Sequence, residues 1–226
     1  GLTETSPVIA VNSFERVKIG TVGHVLDNLD VKIQADGEIT VKGPSVFQGY
    51  YKDDEKTKEA FTEDGYFMTG DIGHIDEEGF LHITDRKKEM FKTSGGKYVA
   101  PQVLENLAKG SKFIEQIMVV GDGEKMPCAL VQPDYAFAKL WAERKHLKIG
   151  KTPEEMANSP ELKARIMKDI NLLNATLGKW EQIKKIELTP TLWTIEDGLL
   201  TPTMKLKRKA VKEKFFNLYE KLYDRA

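Results

Sequence analysis

The sequence predicts an α+β fold of two units: a small barrel-like β unit, then a small α/β unit whose short sheet is flanked by helices. Short segments of alternating apolar and polar residues, punctuated by Gly and Pro, fill residues 16–51. Apolar residues at helical spacing mark the end of the chain. Residues 1–86 hold 8 Lys and Arg against 17 Asp and Glu, and residues 87–226 hold 26 against 18. This change of sign predicts a domain boundary after residue 86 and a basic second unit that attracts polyphosphate ligands.

Turn residues divide the first unit into strands. The predicted strands lie within residues 16–51 and at residues 66–69 and 80–84, and a hairpin turn at residues 76–79 joins the last two. A short helix is expected over residues 53–61, because the Asp at its start can accept a hydrogen bond from a free backbone N–H group.

The second unit is predicted to mix strands with longer helices. Its expected elements are a helix over residues 101–109, strands over 116–120 and 129–132, helices over 134–146 and 159–177, a strand over 183–188 and a helix over 207–224. Pro101 suits the first helical position, where its missing N–H costs nothing. The last helix carries Val211, Phe215, Leu218 and Leu222 as one apolar stripe.

The composition is that of an ordinary globular chain. Of its 226 residues, 40% are hydrophobic and 31% are charged. Its one cysteine, Cys128, lies in a short apolar run that predicts a buried strand, and it cannot form an internal disulfide, so we expect a cytoplasmic location.

No run approaches the ~20 apolar residues of a membrane span, and no signal peptide is visible, which leaves only peripheral membrane contact open. Because the chain begins at Gly1 without a start methionine, we expect a fragment of a longer protein.

Three short segments in the first unit have side chains suited to binding a nucleotide. Thr3 and Glu4 put a hydroxyl beside a carboxylate, and such oxygens suit hydrated Mg²⁺, although a simple cap or turn is the commoner use. Asp71 ends a strand after a flexible glycine, where its carboxylate could accept hydrogen bonds from a ribose. Asp85 and Arg86 follow the next strand; the guanidinium donates in a fixed fork to phosphate or ribose oxygens, and a surface ion pair is the alternative.

Two further segments lie in the second unit. Residues 94–97, Ser-Gly-Gly-Lys, allow a positive φ and a close backbone approach, and by themselves predict an ordinary hairpin turn. Lys205, Lys207 and Lys209 alternate along the chain, so an extended segment would send all three to one side. The solvated basic start of a helix is the alternative interpretation of these lysines.

Together the segments resemble the AMP-forming acyl-CoA synthetases of the adenylate-forming superfamily, most closely the long-chain fatty-acid branch. The resemblance is carried by residues 66–71 (Tyr-Phe-Met-Thr-Gly-Asp), by residues 84–97 around the Asp-Arg pair and the Gly-Gly corner, and by residues 200–208. It implies that residues 1–86 are the C-terminal β subdomain of the N-terminal adenylation domain. Residues 87–226 are then the mobile C-terminal domain, which rotates between an adenylating and a thioester-forming pose about a hinge near Asp85 to Lys88.

The resemblance also implies roles for individual residues. In the family, residues at the positions of Thr3 and Glu4 contact the α-phosphate of the adenylate and the Mg²⁺ ion, and Glu4 counts as catalytic. Asp71 matches the aspartate that binds the ribose, and Arg86 matches the arginine that binds ATP and AMP. Lys205 matches the catalytic lysine that bridges the carboxylate substrate and the α-phosphate.

The remaining roles concern movement and the second substrate. Lys88 matches the hinge residue. Gly95, Gly96 and Lys97 match the face that lines the pantetheine channel of coenzyme A after rotation. Lys207 stays open as the alternative catalytic lysine, because Thr203 and Met204 precede Lys205 where many relatives have Ser-Gly.

The implied reaction of the parent enzyme has two steps. A long-chain fatty acid and Mg·ATP give acyl-adenylate and pyrophosphate, and coenzyme A then gives acyl-CoA and AMP. This fragment is expected to be inactive without the missing N-terminal part. The alternatives are another adenylate-forming enzyme (a short- or medium-chain ligase, or a peptide-synthetase adenylation domain), or a non-catalytic binding module. Nucleic acid is not an expected partner, because the basic run 205–214 includes Glu213 and lacks interleaved aromatic residues.

Overall fold

The computed structural model describes residues 1–225 and divides into two compact units, Gly1–Met90 and the residues from Phe91 onward. The boundary expected from the charge pattern, after Arg86, falls at the end of a strand in the first unit. Each unit has its own sheet and its own core of buried residues.

The first unit is built on a six-stranded antiparallel sheet. Its elements are a 3₁₀ turn at Thr3–Thr5, strands β1 (Ala10–Val11), β2 (Gly23–Val25), β3 (Asp30–Ile33) and β4 (Glu38–Lys42), helix α1 (Asp54–Glu59), and strands β5 (Phe67–Ile75) and β6 (Phe80–Arg86). The strand order is β1-β2-β6-β5-β4-β3, so the long hairpin of β5 and β6 occupies the middle of the sheet.

Local sequence signals explain the helix and the central hairpin. The side chain of Asp53 accepts a hydrogen bond from the backbone N–H of Lys56 and caps α1 as predicted. Between β5 and β6, the carboxylate of Asp76 accepts from the N–H groups of Glu78 and Phe80 at 3.0 and 2.9 Å. The turn expected at residues 76–79 is therefore confirmed, with an Asp side chain closing it.

An aromatic cluster lies under the first sheet. Phe67 and Val41 are almost fully buried, and the ring of Phe47 lies 5.2 Å from that of Phe67 and 5.7 Å from that of Phe61. Ring pairs at these separations add stabilisation beyond their buried area. This cluster supports the end of the sheet that carries the start of β5.

The second unit combines a three-stranded sheet with helices. Its elements are a hairpin of β7 (Phe91–Lys92) and β8 (Tyr98–Val99), helix α2 (Pro101–Ala108), strands β9 (Ile114–Val120) and β10 (Cys128–Pro133), helices α3 (Tyr135–Lys145), α4 (Pro153–Ala157) and α5 (Pro160–Asn174), strand β11 (Ile186–Leu188), and helices α6 (Arg208–Lys214) and α7 (Phe216–Leu222). Strand β10 lies in the centre, antiparallel to β9 and parallel to β11.

The central strand β10 is covered on both faces. Ala129 and Val131 pack into a core formed with α2, α3 and α5, whereas Cys128 and Leu130 pack with residues of α6 and α7. All four are fully buried, as expected of a continuous apolar strand between two layers of helices. The predicted burial of Cys128 is confirmed, and burial raises the pKa of its thiol.

Most predicted helix starts are also found. Pro101 occupies the first turn of α2, the carboxylate of Asp134 accepts from the N–H of Phe137 to cap α3, and the Ser159 hydroxyl accepts from Leu162 to cap α5. These residues relieve backbone groups that a helix end leaves without partners. The predicted α+β class is confirmed.

The prediction of a single last helix over residues 207–224 is wrong. Phe215 has φ −110° and ψ 33°, outside the helical range, and separates α6 from α7. Its ring is buried and stacks on Trp193 with centroids 6.2 Å apart, so packing overrides the helical pattern at this position. The apolar stripe survives, because Val211 and Leu222 on the two short helices are both fully buried.

Across residues 1–225, no helix combines the length and the apolar content that a bilayer crossing requires.

Candidate functional site

Asp71 and Arg86 meet across the central hairpin of the first unit. They are direct partners in the register of β5 and β6, and Arg86 Nε lies 2.8 Å from Asp71 Oδ1. Asp71 is 8% exposed, whereas the Arg86 side chain reaches solvent. The sequence predicted both residues but not their contact, which depends on the strand register.

The backbone around this pair is held firmly. Gly70 has φ 73°, a left-handed value that favours glycine; its N–H donates to Glu38 Oε1 at 3.0 Å, and its carbonyl accepts from the N–H of Lys87 at 2.8 Å. Next to it, the almost fully buried carboxylate of Asp85 accepts from the N–H of Arg86 at 2.6 Å. Hydrogen bonds to Glu38 and Lys87 therefore hold the backbone of β5 next to the Asp71–Arg86 pair.

Lys87 is a component of this region that the sequence did not reveal. Its ammonium lies 2.7 Å from Asp36 and 2.6 Å from Glu38, on the segment around the start of β4. Asp36 and then Glu38 raise the pKa of Lys87, and Lys87 lowers the pKa of Asp36. These partners are about fifty residues away in sequence, so local patterns contain no signal for them.

The Thr3-Glu4 turn is a 3₁₀ turn, consistent with the turn expected there. The side chain of Thr5, which the sequence did not single out, holds this turn together. The buried Thr5 hydroxyl donates to the carbonyl of Pro7 at 2.8 Å and accepts from the N–H of Leu2 at 3.1 Å. Thr3 itself is exposed. The turn thus presents Thr3 and Glu4 from a fixed backbone.

The Glu4 carboxylate is hydrogen-bonded to Tyr50. Tyr50 Oη donates to Glu4 Oε1 at 3.1 Å, and desolvation together with this carboxylate raises the pKa of Tyr50. A small cavity of about 20 Å³ is lined by both Gly1 and Asp71, so the N-terminal turn begins beside the ribose-binding candidate. The residues that line this cavity include Gly1 but neither Thr3 nor Glu4.

No metal cage accompanies Glu4. Within residues 1–225, no group of three or more His, Cys, Asp or Glu side chains is arranged to hold a metal ion. Mg²⁺ commonly uses one or two carboxylates and completes its shell with water and substrate phosphates. A single carboxylate such as Glu4 fits that mode of binding.

Lys88 lies in a turn that follows β6. The N–H of Glu89 donates to the carbonyl of Arg86 at 2.8 Å, and Lys88 is exposed inside that turn. Lys88 therefore lies beyond the end of strand β6, where a change of dihedral angles would not disrupt the strand itself.

The Gly-Gly corner is the loop of the β7–β8 hairpin, so the ordinary hairpin turn expected from its residues is confirmed. Gly96 has φ 79°, and its N–H donates to the carbonyl of Thr93 at 2.8 Å. Gly95 and Lys97 are exposed in the same loop. The Lys97 ammonium lies 5.6 Å from the ring centroid of Trp180, a neighbour that the sequence did not predict.

Lys205 stands at the end of a tight loop. The loop is closed by a bridge between Leu200 and Leu206, and the Thr201 N–H donates to the carbonyl of Lys205 at 2.8 Å. Met204 has φ 61°, and Lys205 is exposed. Because Leu200 is 1% exposed, the loop is anchored in the core while its lysine reaches solvent.

The three alternating lysines do not share one extended segment. Helix α6 begins at Arg208, so Lys209 is already helical and the two-residue alternation ends at Lys207. The helical hydrogen bonds of α6, which begin with the N–H of Val211, form here in place of an extended segment. Lys205 and Lys207 remain the two exposed candidates before the helix.

Arg208 anchors this loop to the sheet. Its guanidinium lies 2.8 Å from Glu105 Oε1 and donates to the carbonyl of Val119 at 2.5 Å. Glu105 also accepts from the N–H of Val119 at 2.7 Å. This buried arrangement ties the start of α6 to α2 and β9, and sequence reasoning missed it because its partners are distant in the chain.

Comparison with known proteins relates this chain to a protein family. The profile of the AMP-binding enzyme C-terminal domain family matches residues 89–226, more than half of the chain. Long-chain-fatty-acid–CoA ligase FadD15 of Mycobacterium tuberculosis is 42% identical over 225 residues, which are 100% of this chain and 37% of that protein. Human long-chain-fatty-acid–CoA ligase 1 is 40% identical over 84% of this chain and 27% of its own length. The chain thus spans little more than a third of the bacterial relative.

Solved structures show the same fold. The adenylation domain of a carboxylate reductase from Mycobacterium chelonae superposes with a TM-score of 0.66 at 30% identity, covering 83% of this chain and 28% of that one. ATP-bound MatB from Rhodopseudomonas palustris superposes with a TM-score of 0.69 at 27% identity, covering 97% and 40%. The motif-based resemblance to the C-terminal portion of long-chain acyl-CoA synthetases is confirmed. The chain belongs to the AMP-binding enzyme C-terminal domain family.

Proposed function

We propose that the protein containing this chain activates long-chain fatty acids. It joins a fatty acid to Mg·ATP, forming acyl-adenylate and pyrophosphate, and then transfers the acyl group to coenzyme A with release of AMP. The observation that carries the proposal is similarity over 100% of the chain, at 42% identity, to a protein named as a long-chain-fatty-acid–CoA ligase. The contacts within each unit support proposed roles for individual residues.

Asp71 and Arg86 are the proposed nucleotide-binding pair. The Asp71 carboxylate accepts hydrogen bonds from the ribose hydroxyls, and Arg86 both orients that carboxylate and contacts ATP and AMP. Their separation of 2.8 Å and the small exposure of Asp71 support this assignment, because a partly desolvated, charge-assisted contact holds its geometry.

Thr3 and Glu4 are the proposed contacts to the α-phosphate and to Mg²⁺. The ion, when bound, offsets the negative charge of the phosphates. Glu4 supplies one carboxylate oxygen, while Tyr50 orients the group through its other oxygen. The support is the hydrogen-bonded 3₁₀ turn that presents both residues.

Lys205 is the proposed catalytic lysine. Its ammonium donates to the carboxylate substrate and to the α-phosphate, where negative charge develops during adenylation. The support is its exposure at the end of an anchored loop. Gly95, Gly96 and Lys97 are the proposed lining of the coenzyme A channel, and Lys88 is the proposed hinge.

Two proposals concern the partners of the enzyme and its location in the cell. The rest of the parent chain is its structural partner, and any membrane contact made by these 226 residues is peripheral. We assign the protein to the cytoplasm, on the support of a single buried cysteine that has no disulfide partner in the sequence. Cell fractionation tests this, and recovery in peroxisomes, the location in the name of a plant relative, would contradict it.

The decisive experiment measures fatty-acid-dependent AMP release by the parent enzyme over a series of acid chain lengths. We expect the highest kcat/KM on long acids, with both pyrophosphate and acyl-CoA formed. A preference for short acids or amino acids would instead favour another adenylate-forming enzyme. Inactivity on every acid would favour a binding module.

A further inference from the structure

Glu38 is a buried carboxylate whose two oxygens have different partners. It begins strand β4 and is 4% exposed. Glu38 Oε1 accepts from the N–H of Gly70 at 3.0 Å, and Glu38 Oε2 lies 2.6 Å from the ammonium of Lys87. A carboxylate removed from water depends on such partners, because its charge otherwise lacks compensation.

The two partners of Glu38 are the chain neighbours of the proposed nucleotide-binding pair. Gly70 directly precedes Asp71, and Lys87 directly follows Arg86. The N–H of Lys87 also donates to the carbonyl of Gly70 at 2.8 Å. One side chain on a third strand therefore contacts the backbone before Asp71 and the residue after Arg86 at the same time.

Asp36 completes this arrangement. Asp36 Oδ1 accepts from the N–H of Glu38 at 3.1 Å, and Asp36 Oδ2 lies 2.7 Å from the Lys87 ammonium. Asp36 and then Glu38 raise the pKa of Lys87, so the lysine keeps its positive charge at neutral pH. We call Asp36, Glu38 and Lys87 the carboxylate–lysine bridge.

The same hairpin has a second lysine between two carboxylates, at its turn end. The Lys18 ammonium lies 2.8 Å from Asp76 and 2.5 Å from Glu78. These two carboxylates are more exposed than Glu38, and neither is a chain neighbour of a proposed site residue. Lys18 therefore offers a comparison in which the ion pairs are alike and the position differs.

We propose that Glu38 is a positioning residue for the Asp71–Arg86 pair. Together with Lys87 it fixes the backbone beside both members, and so keeps the Asp71 carboxylate directed at the ribose hydroxyls. The inference rests on the proposed function, which makes Asp71 and Arg86 the nucleotide-binding pair. Glu38 and Lys87 act through that pair and do not themselves touch the nucleotide.

The test measures KM for ATP in fatty-acid-dependent ATP–pyrophosphate exchange by the parent enzyme. Glu38→Gln keeps the shape of the side chain and should raise KM about tenfold, because the charge-assisted contact with Lys87 is lost. Lys87→Met should have the same effect, and Lys87→Arg should retain most of the wild-type behaviour. Lys18→Met is the matched control and should leave KM unchanged.

A second nucleotide distinguishes positioning from a general loss of stability. 2′,3′-Dideoxy-ATP lacks both ribose hydroxyls, so the orientation of Asp71 no longer contributes to its binding. Glu38→Gln should therefore raise KM much less for the dideoxy nucleotide than for ATP. An equal factor for both nucleotides would show a purely structural role and overturn the proposal. Lys87→Met, at a half-exposed position, provides the same comparison should Glu38→Gln fail to fold.

The remaining outcomes separate this inference from the proposed function. Wild-type parent enzyme without exchange activity on any fatty acid would refute the proposed function. Normal wild-type exchange, with KM for ATP unchanged in both Glu38→Gln and Lys87→Met, would refute only the positioning role. An equal rise in KM for Lys18→Met would also refute it, because that lysine contacts the other end of the hairpin.

Discussion

At the residue scale, two lysines are candidates for the proposed catalytic role. Lys205 is the last residue of a loop closed by the Leu200–Leu206 bridge, and its backbone N–H is held by Thr201 Oγ1 at 3.1 Å. Lys207 instead precedes α6, and its N–H donates to the carbonyl of Leu199 at 2.9 Å. Both side chains are exposed, so the backbone position alone distinguishes them.

We predict that Lys205→Ala lowers the rate of acyl-adenylate formation by about 10²–10³ in the parent enzyme, because it removes a preorganised donor to developing negative charge. Lys207→Ala, the matched control, should retain most of the rate. ATP–pyrophosphate exchange measures this step directly. A reversed order of the two variants would move the catalytic role to Lys207.

At the scale of elements, the loop that carries Lys205 depends on the packing of α6. Arg208 connects the first turn of α6 to Glu105 of α2 and to the carbonyl of Val119 in β9. Glu105 is 5% exposed, so loss of the arginine would leave a buried carboxylate with less compensation for its charge. The same contact therefore affects both the stability of the second unit and the position of the loop before it.

We predict that Arg208→Met lowers the free energy of unfolding of the second unit by about 3 kcal/mol. The matched control is Lys209→Met, since Lys209 is 91% exposed and 3.9 Å from Glu213, a pair whose loss should change stability by less than about 0.5 kcal/mol. Urea denaturation of the 226-residue chain measures both. Equal midpoints for the two variants would contradict the anchoring role.

The turn after β6 is the second element with a functional assignment. Lys88 lies between Arg86 and Glu89, whose backbone hydrogen bond closes the turn at 2.8 Å. Proline at this position would restrict φ to about −65° and so limit the conformations that the turn can adopt.

We predict that Lys88→Pro blocks one of the two half-reactions of the parent enzyme and spares the other. Lys88→Ala, which leaves φ free, should retain both. ATP–pyrophosphate exchange and acyl transfer to coenzyme A from added acyl-adenylate measure the steps separately. Normal rates of both steps in the proline variant would show that the hinge lies elsewhere.

At the scale of the whole molecule, each unit carries part of the proposed chemistry. The nucleotide-binding candidates Asp71 and Arg86 belong to the first unit, and Lys205 belongs to the second. No Gly-, Ser- and Thr-rich phosphate loop of the family type occurs in the sequence, and the chain spans 37% of its bacterial relative.

We predict that the purified 226-residue chain forms no acyl-adenylate, because the residues present hold neither a phosphate loop nor a tunnel for the fatty acid. Fatty-acid-dependent AMP production, measured with the parent enzyme as the positive control, tests this. Turnover by the chain alone that survives in Lys205→Ala would point to a contaminating enzyme. Turnover that Lys205→Ala abolishes would contradict the prediction.

Local patterns predicted most elements, because the signals that begin and end them are short. Asp53, Asp134 and Ser159 each cap the helix that was expected to follow them, and Pro101 begins another. The prediction of one continuous last helix failed at Phe215, where burial against Trp193 imposes nonhelical backbone angles. Periodicity identifies an apolar stripe but contains no information about such a break.

The amino-acid order was sufficient to identify the fold class, the family and the segments that carry candidate chemistry, since these depend on short motifs and on spacing within an element. The tertiary structure alone decided which side chains meet. The contact of Asp71 with Arg86 follows from strand register, and the Trp180–Lys97 pair and the Arg208 anchor join positions about eighty to a hundred residues apart. Such contacts arise when whole elements pack on a common core, and no local pattern records the packing partner.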